Sequence, residues 1–316
     1  MISRRAQPWL GTLVEIVAEG ADMPTLLTAS DHAFARIATV HAAMSFQSAD
    51  SELTRVNRAA QSDWVALSPD LAAVFAAALD YARASAGLFD PSVAGWLIES
   101  GLLPRHAGFP DAPRPDWRAI ELDGDRVRYL DGARVRYARP LLVDLSGIAK
   151  GYAVDAALAS LRADGVCAAT VNAGGDLARF GDDAAPVLVR LPQHPTHTLR
   201  LAELTNGAAA TSASYFQPDA LRHPASGDVL CAGASVTVLA GDCMTADALT
   251  KVVAAGILET KPLRTDAPHT ADVLARYAAQ AIVLDGAHAM RCPDAVAQAR
   301  RCDADGWHDL PLEQMA

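Results

Sequence analysis

The sequence predicts an α+β protein in layers, with helices packed on runs of neighbouring strands. Apolar residues recur at helical spacing, between recognisable start and stop signals, in residues 24–43, 69–86 and 242–255. Strand-like runs follow one another directly at 187–191, 198–201 and 207–211. Helices and strands therefore do not alternate in a steady βαβ rhythm, and a doubly wound parallel sheet is disfavoured. The 316 residues suffice for one domain, 1–316, or for two interlocked lobes, with ample length for a buried core.

The elements follow in order. A strand is expected at 12–18. The helix over 24–43 brings Leu26, Leu27, Phe34, Ile37 and Val40 close to one face. Residues 51–57 read as a short capped helix. Ser68 caps the next helix, Pro69 starts it and Gly87 stops it. A serine hydroxyl satisfies a free amide there, proline tolerates the first turn and glycine permits the exit. Pro104, Pro110, Pro113 and Pro115 crowd a loop. A hairpin is expected from 119–122 and 127–130, turning at Asp123-Gly124-Asp125. Residues 155–162 continue a helix begun near Lys150, and 168–171 form a short strand. After the three successive strands comes another at 234–240, alternating around Val236 and Val238. The helix over 242–255, a helix near 271–279 and a strand at 281–284 precede a polar tail. There is no internal repeat.

Composition narrows the class. At 51% hydrophobic and 20% charged, the chain is ordinary for a globular enzyme. A net charge of -10, with no useful run of Lys or Arg, argues against a nucleic-acid partner. No apolar run is long enough to span a bilayer. The start, Met1 to Thr12, has no apolar leader core and no lipidated cysteine. The expected location is cytoplasmic for the chain as given, and periplasmic if a leader was trimmed. Cys167, Cys231, Cys243, Cys292 and Cys302 lack metal-ligand spacing and read as buried or idle thiols.

The most informative stretch runs from Val143-Asp144-Leu145-Ser146-Gly147 through Ile148-Ala149-Lys150-Gly151 to Asp155. An apolar strand enters a small-residue turn, and a helix starts with a lysine in its first turn. Exposed amides and a cation suit a phosphate there, although a plain strand-to-helix turn would look the same. Asp144, at the strand end, could accept from a ligand amide or ring nitrogen. Asn172-Ala173-Gly174-Gly175-Asp176 reads as a second turn of that kind, able to hold a ribose hydroxyl or a metal. Thr211 and Ser212 offer hydroxyls at a strand end, for a ligand or for their own backbone. Gly87-Leu88-Phe89-Asp90 can be simply a helix stop with a cap. His223, before Pro224-Ala225-Ser226-Gly227, is a loop histidine with a pKa suited to proton transfer. Asp247 and Thr250 share a helix face, where both oxygens could meet one hard cation or merely serve the helix start.

Taken together and in this order, with Leu10-Gly11-Thr12 and the segment Met44 to Asn57, these motifs resemble the FAD:protein FMN transferase (ApbE-type) family. The resemblance runs from about residue 10 to 255. It implies a mostly antiparallel sheet flanked by helices, with an FAD cleft between the lobes if there are two. It also implies an enzyme that takes FAD with Mg²⁺, joins FMN through its phosphate to a Ser or Thr of a target flavoprotein, and releases AMP. By position, Leu10, Gln47, Leu88, Phe89, Asp90, Asp144 and Lys150 would contact FAD. Asn172, Gly174, Gly175, Asp176, Thr211 and Ser212 would complete the ligand site. The Gly147 carbonyl and Asp247, with Thr250, would hold the metal; His223 and Asp247 are the expected catalytic pair.

The chain departs from the family pattern at four places. Leu10 stands where a methionine is usual, and Gln47 where an aromatic stacks on the flavin, with Phe46 beside it. His223 directly precedes the proline instead of standing a few residues before it. Lys251 occupies the position of the metal-binding threonine, with Thr250 one place earlier. An ammonium there repels a metal unless it turns away, or takes the metal's place. Two other functions fit the same residues: an FAD pyrophosphatase giving FMN and AMP, and a non-catalytic FAD-binding or flavin-delivery protein.

Overall fold

A computed structural model describes residues 1–111, 113–124, 132–191, 194–213, 221–230, 234–258, 268–285, 298–303 and 306–310. They divide into two units, one of Met1–Ile37, Lys150–Leu221 and Val229–Ala316, the other of Ala38–Ala149 and Arg222–Asp228.

The first unit begins with a hairpin. Strands β1 (Ile2–Trp9) and β2 (Thr12–Glu19) pair antiparallel across Leu10-Gly11. Their φ angles of 57° and 73° are the two left-handed values a tight hairpin turn requires. The sequence pattern suggested no strand before Thr12. Arg4, Arg5 and Pro8 obscure β1, and they suit it to the sheet edge where it lies.

The sheet continues through β6 (Ala168–Ala173), β7 (Asp176–Phe180), β10 (Gly207–Ala213) and β11 (Ala234–Ala240). It ends with β12 (Gln280–Asp285), β13 (Gln298–Asp303) and β14 (Gly306–Leu310). The order is β1-β2-β6-β7-β10-β11-β12-β13-β14, and every neighbour is antiparallel. The α+β expectation holds. The supposed polar tail supplies two strands, whose Arg300, Arg301 and Asp303 gave no apolar alternation to read.

Strand pleating gives this sheet two working faces. Val14, Ile16 and Ala18 of β2, with Ala178 and Ala208, pack against helices α1 (Met23–Met44) and α5 (Ala149–Ala163). Leu26, Phe34 and Ile37 of α1 are almost fully buried there. Each such side chain contributes about 1.5–3 kcal/mol by leaving water. The next residues along, Leu177 and Ala209, belong to a second cluster with Ile282 and Leu284. Val187 and Val189, from the hairpin of β8 (Ala185–Leu191) and β9 (His194–Leu204), close that cluster. Helix α6 (Cys243–Leu258) packs on β7, β10 and β11, and α7 (Pro268–Arg276) on β12 to β14.

The second unit holds α2 (Glu52–Ala59), α3 (Pro69–Ala84), α4 (Ala94–Glu99) and a small sheet. In that sheet β5 (Arg134–Tyr137) lies between β3 (Val65–Ala66) and β4 (Ile120–Asp123). The expected caps are present: Ser51 accepts from the Thr54 amide and Ser68 from the Leu71 amide. Gly87, at φ 96°, donates back to Ala82 O at 2.8 Å and ends α3. Of the hairpin expected at 119–130, the first arm is seen as β4, which pairs with β5; residues 127–130 lie outside the described set. Helix α4, six residues long, was not anticipated, being too short to show a period.

Asn57 ties this unit together from inside. Its Nδ2 donates to Val143 O at 2.8 Å, and its Oδ1 accepts from Val143 N at 2.8 Å and Tyr137 Oη at 3.0 Å. The side chain is fully buried. Asn57→Ala should therefore cost about 3 kcal/mol, because it strands buried donors and acceptors. Urea unfolding with circular dichroism measures this; a loss below about 1 kcal/mol would show that water replaces the amide.

Candidate active site

The start of α5 carries Lys150 and Gly151, and α6 starts beside it. Gly151 permits that approach: a Cβ there would lie 2.3 Å from Cys243 O and 2.7 Å from Met244 Cα. Asp155, one turn further along α5, accepts from the Cys243 and Met244 amides, both at 2.8 Å. Asp242 caps the same helix, accepting from Thr245 N at 2.8 Å. The first amides of α6 are thus satisfied by two carboxylates.

Four charged side chains meet around this junction. Lys150 Nζ lies 2.6 Å from Asp176 Oδ2, and Lys251 Nζ is ion-paired with Asp247 Oδ1. Asp247 Oδ2 accepts from the Gly151 amide at 3.2 Å. Asp247 is fully buried and Asp176 nearly so, while Lys150 keeps 34% of its side chain in solvent. Strand pleating explains why Asp176 is here. It shares a face with Ala178, the face covered by α1 and α5.

These groups shift one another. Burial alone would depress the Lys150 ammonium, but Asp176 and Asp247 outweigh it and raise its pKa. Burial, followed by repulsion from Asp247, raises Asp176 against the pull of Lys150 and Lys251. Burial, then Asp176, Asp155 and Asp247, push the Cys243 thiol well up. Burial takes Asp155 up to about 7 against the two amides it accepts, with Asp242 and Asp247 adding to the rise.

The expected hydroxyls part company. Ser212 Oγ lies 2.7 Å from Thr250 Oγ1, which also donates to Asp247 O at 2.7 Å. Thr211 points to the opposite face and pairs with Thr237 Oγ1 across the strands at 2.9 Å. The sequence offered the two as one pair of donors, and the pleat separates them. Asn172 to Asp176 proves to be the turn of the β6–β7 hairpin, not a strand-to-helix turn. Gly174 and Gly175 have φ of 68° and 107°, and Asn172 Oδ1 accepts from Gly175 N at 2.9 Å. A Cβ on Gly174 would come within 2.5 Å of Thr12 Oγ1. Leu10, half-buried in the β1–β2 turn, packs on the cluster beneath α1 and α5.

The second unit holds the other expected residues. Asp90 Oδ1 accepts from Ser92 N at 2.8 Å and Ser92 Oγ at 2.6 Å, and Oδ2 from Trp117 N at 3.2 Å. Burial raises its pKa against those donors. The cap role is therefore real. Phe89 is buried edge-on to Tyr81, Leu88 is half-buried and Gln47 is exposed. Asp144 accepts from Ser146 N at 3.2 Å and from the Ser146 hydroxyl, in the turn that includes half-buried Gly147. His223 is buried, and its Nδ1 accepts from Ser226 N at 3.3 Å, so its ring N–H sits on Nε2.

A divalent ion does not fit Asp247 and Thr250 as they stand. Both carboxylate oxygens and the hydroxyl are engaged, one of them by an ammonium. Among the described residues, no group of three or more His, Cys, Asp or Glu could hold a metal. None of their helices is long and apolar enough to cross a membrane.

Residues 10–263 match the ApbE family. The chain belongs to that family. Among ApbE relatives, the FAD:protein FMN transferase of Rhodobacter capsulatus is 36% identical over 141 residues, 42% of this chain and 26% of that protein. The chain thus matches about a quarter of that relative's length. The FAD:protein FMN transferase of Vibrio cholerae is 29% identical over 252 residues, 72% of each. The crystal structure of the Thermotoga maritima ApbE protein superposes with a TM-score of 0.74 at 23% identity, covering 90% of this chain and 94% of that one. The apo Pseudomonas stutzeri flavinyl transferase ApbE gives 0.72 at 21%, covering 90% and 92%. These two likenesses establish the ApbE fold.

Sequence reasoning missed Asp155. An acid five residues after Lys150 is visible in the sequence, but the amides it satisfies lie on a helix almost ninety residues away. Its raised pKa means that the folded chain holds its proton more tightly than the unfolded chain, where the value is the ordinary 3.8. Stability contributed at low pH is therefore lost as pH rises from about 4 to about 7. The advantage of the native chain over Asp155→Asn should shrink across that window and then level off. Urea titrations at several pH values measure it, and an advantage that grows with pH would contradict the assignment.

Proposed function

We propose that this chain transfers FMN from FAD to a Ser or Thr hydroxyl of a target flavoprotein, releasing AMP. The observation that carries the reading is the Lys150–Asp176 pair at the start of α5, beside Asp247, within a chain of the ApbE family. Lys150 is charged, half-exposed and able to exchange a carboxylate for a phosphate oxygen. As a compact ammonium it would act as a point charge on the pyrophosphate.

The step needs no covalent bond to the protein. The acceptor oxygen attacks the phosphorus on the flavin side, the bond from that phosphorus to the bridging oxygen breaks, and AMP leaves with that oxygen. The hydroxyl proton passes to a carboxylate, for which Asp247 is the candidate, and then to solvent. Such a transfer depends on positioning and charge neutralisation. We assign Asp144, Leu88, Phe89, Asp90, Gln47 and Leu10 to flavin contact, and Asn172, Gly174, Gly175, Thr211 and Ser212 to the remainder of the ligand site. His223, with its proton on Nε2, is suited to donate a hydrogen bond to a ligand oxygen. The family implies Mg²⁺, for which Gly147, Asp247 and Thr250 are the expected ligands; Asp247 and Thr250 as they stand do not fit it, and no step here is routed through it.

One observation favours a second reading. The Lys251–Asp247 pair removes a metal ligand, as a flavin-binding protein without transfer activity could tolerate. Mass spectrometry of an acceptor peptide with FAD decides between them. Transfer adds the mass of FMN less water to a Ser or Thr and yields one AMP; FAD binding without that adduct leaves the second reading. Free FMN and AMP without acceptor would point to hydrolysis.

Lys150→Met should weaken FAD binding on the order of tenfold or more, the size of a lost charged hydrogen bond. Quenching of flavin fluorescence reads this directly. An unchanged affinity would remove Lys150 from the ligand site.

A further inference from the structure

We propose that the Lys251 ammonium is the resident cation of this site, standing at Asp247 in place of a divalent metal, so that the chain binds and uses FAD without Mg²⁺. The inference rests on the FAD reading above for its ligand, but its central comparison is made on the ligand-free protein.

Position makes the pair intrinsic to α6. Asp247 and Lys251 are four residues apart on one helix face, with the acid toward the N-terminus, the favourable orientation for such a pair. Lys251 keeps 18% of its side chain exposed, whereas Asp247 keeps none. A fully buried carboxylate needs a partner, and removing one member of a buried pair is strongly destabilising. Besides its pair with Lys251, that carboxylate accepts from the Gly151 amide at 3.2 Å.

Among the described residues, the neighbours give a metal no other group of ligands. Thr250 Oγ1 donates to Asp247 O at 2.7 Å and lies 2.7 Å from Ser212 Oγ. Lys150 with Asp176 forms a second pair, so two ammoniums already balance two carboxylates. A divalent ion added with Lys251 in place would leave the cluster with two excess positive charges in a largely buried position. Lys251 has to leave before a metal can enter. A single ammonium cannot bridge two phosphate oxygens as a divalent ion does, so the chain gives up bridging and keeps neutralisation.

The test exchanges one cation for another. Lys251→Thr exposes a buried carboxylate next to a hydroxyl and should create a metal site. With Mg²⁺ well above its dissociation constant, the Tm of that variant should rise by on the order of 2–4 °C over its value in EDTA. The Tm of the native chain should not move, nor should that of the Asp247→Asn/Lys251→Thr double variant. In parallel, electron paramagnetic resonance counts Mn²⁺ bound to the native chain with FAD present, a measurement available even if the variant does not fold. Less than a tenth of an equivalent supports the proposal. About one Mn²⁺ per chain that disappears in Asp247→Asn would overturn it, as would native FAD binding that is lost in EDTA and restored by Mg²⁺. Failure of the native chain to quench flavin fluorescence would sink the FAD reading alone, leaving the Tm comparison to decide the cation at Asp247.

Discussion

The contact between the first turns of α5 and α6 is the constraint on which the charged site depends. Gly151 lets the two backbones meet, and Asp155 holds them by accepting the first amides of α6. Lys150 precedes Gly151 on one helix, while Asp247 and Lys251 lie one and two turns into the other. Their separation is therefore set by backbone contact rather than by flexible side chains. Asp176 completes the group because β7 presents it on the face that those helices cover. Four charges from three elements are fixed by one glycine, one carboxylate and the pleat of a strand.

The electrostatics of the chain work on two scales. A net charge of -10 does nothing to attract an anionic dinucleotide at long range. On the proposed reading attraction comes from local arrangement, with Lys150 exchanging its carboxylate partner for the ligand. Lys150, with a third of its side chain in water, is placed to make that exchange. Lys251 is more enclosed and better paired. On the proposed reading the two ammoniums differ in role, Lys150 exchanging its carboxylate for a ligand and Lys251 staying with Asp247.

Much of this was legible in the sequence where the signal is local. The Ser51 and Ser68 caps, the Gly87 stop and the lysine in the first turn of α5 are chemical statements made by adjacent residues, and each appears in the structure. Several interior strands were legible as well, at 168–171, 207–211 and 281–284 and around Val236 and Val238. The outermost strands escaped: β1 carries two arginines and a proline at one edge of the sheet, and at the other end β13 and the edge strand β14 carry charged residues that break any apolar alternation. The turn at Gly174-Gly175 shows the same limit from another side. Paired glycines say that the backbone must go left-handed, but not whether a strand or a helix comes next. The Asp155–α6 bond and the splitting of Thr211 from Ser212 depend on pairing across the chain, which spacing alone does not encode. Lys251 was visible as a misplaced charge. What it pairs with needed the helix.

Cys243 carries a last consequence. Its thiol is fully buried, and burial first, then the nearby Asp176, Asp155 and Asp247, push its pKa well up and favour the protonated form. The thiolate is the form that attacks peroxide and disulfides, and burial keeps this thiol out of that form. Exposed Cys167, by contrast, is open to alkylating reagents. The acids gathered for charge balance thus add to what burial already does, favouring the thiol over the thiolate.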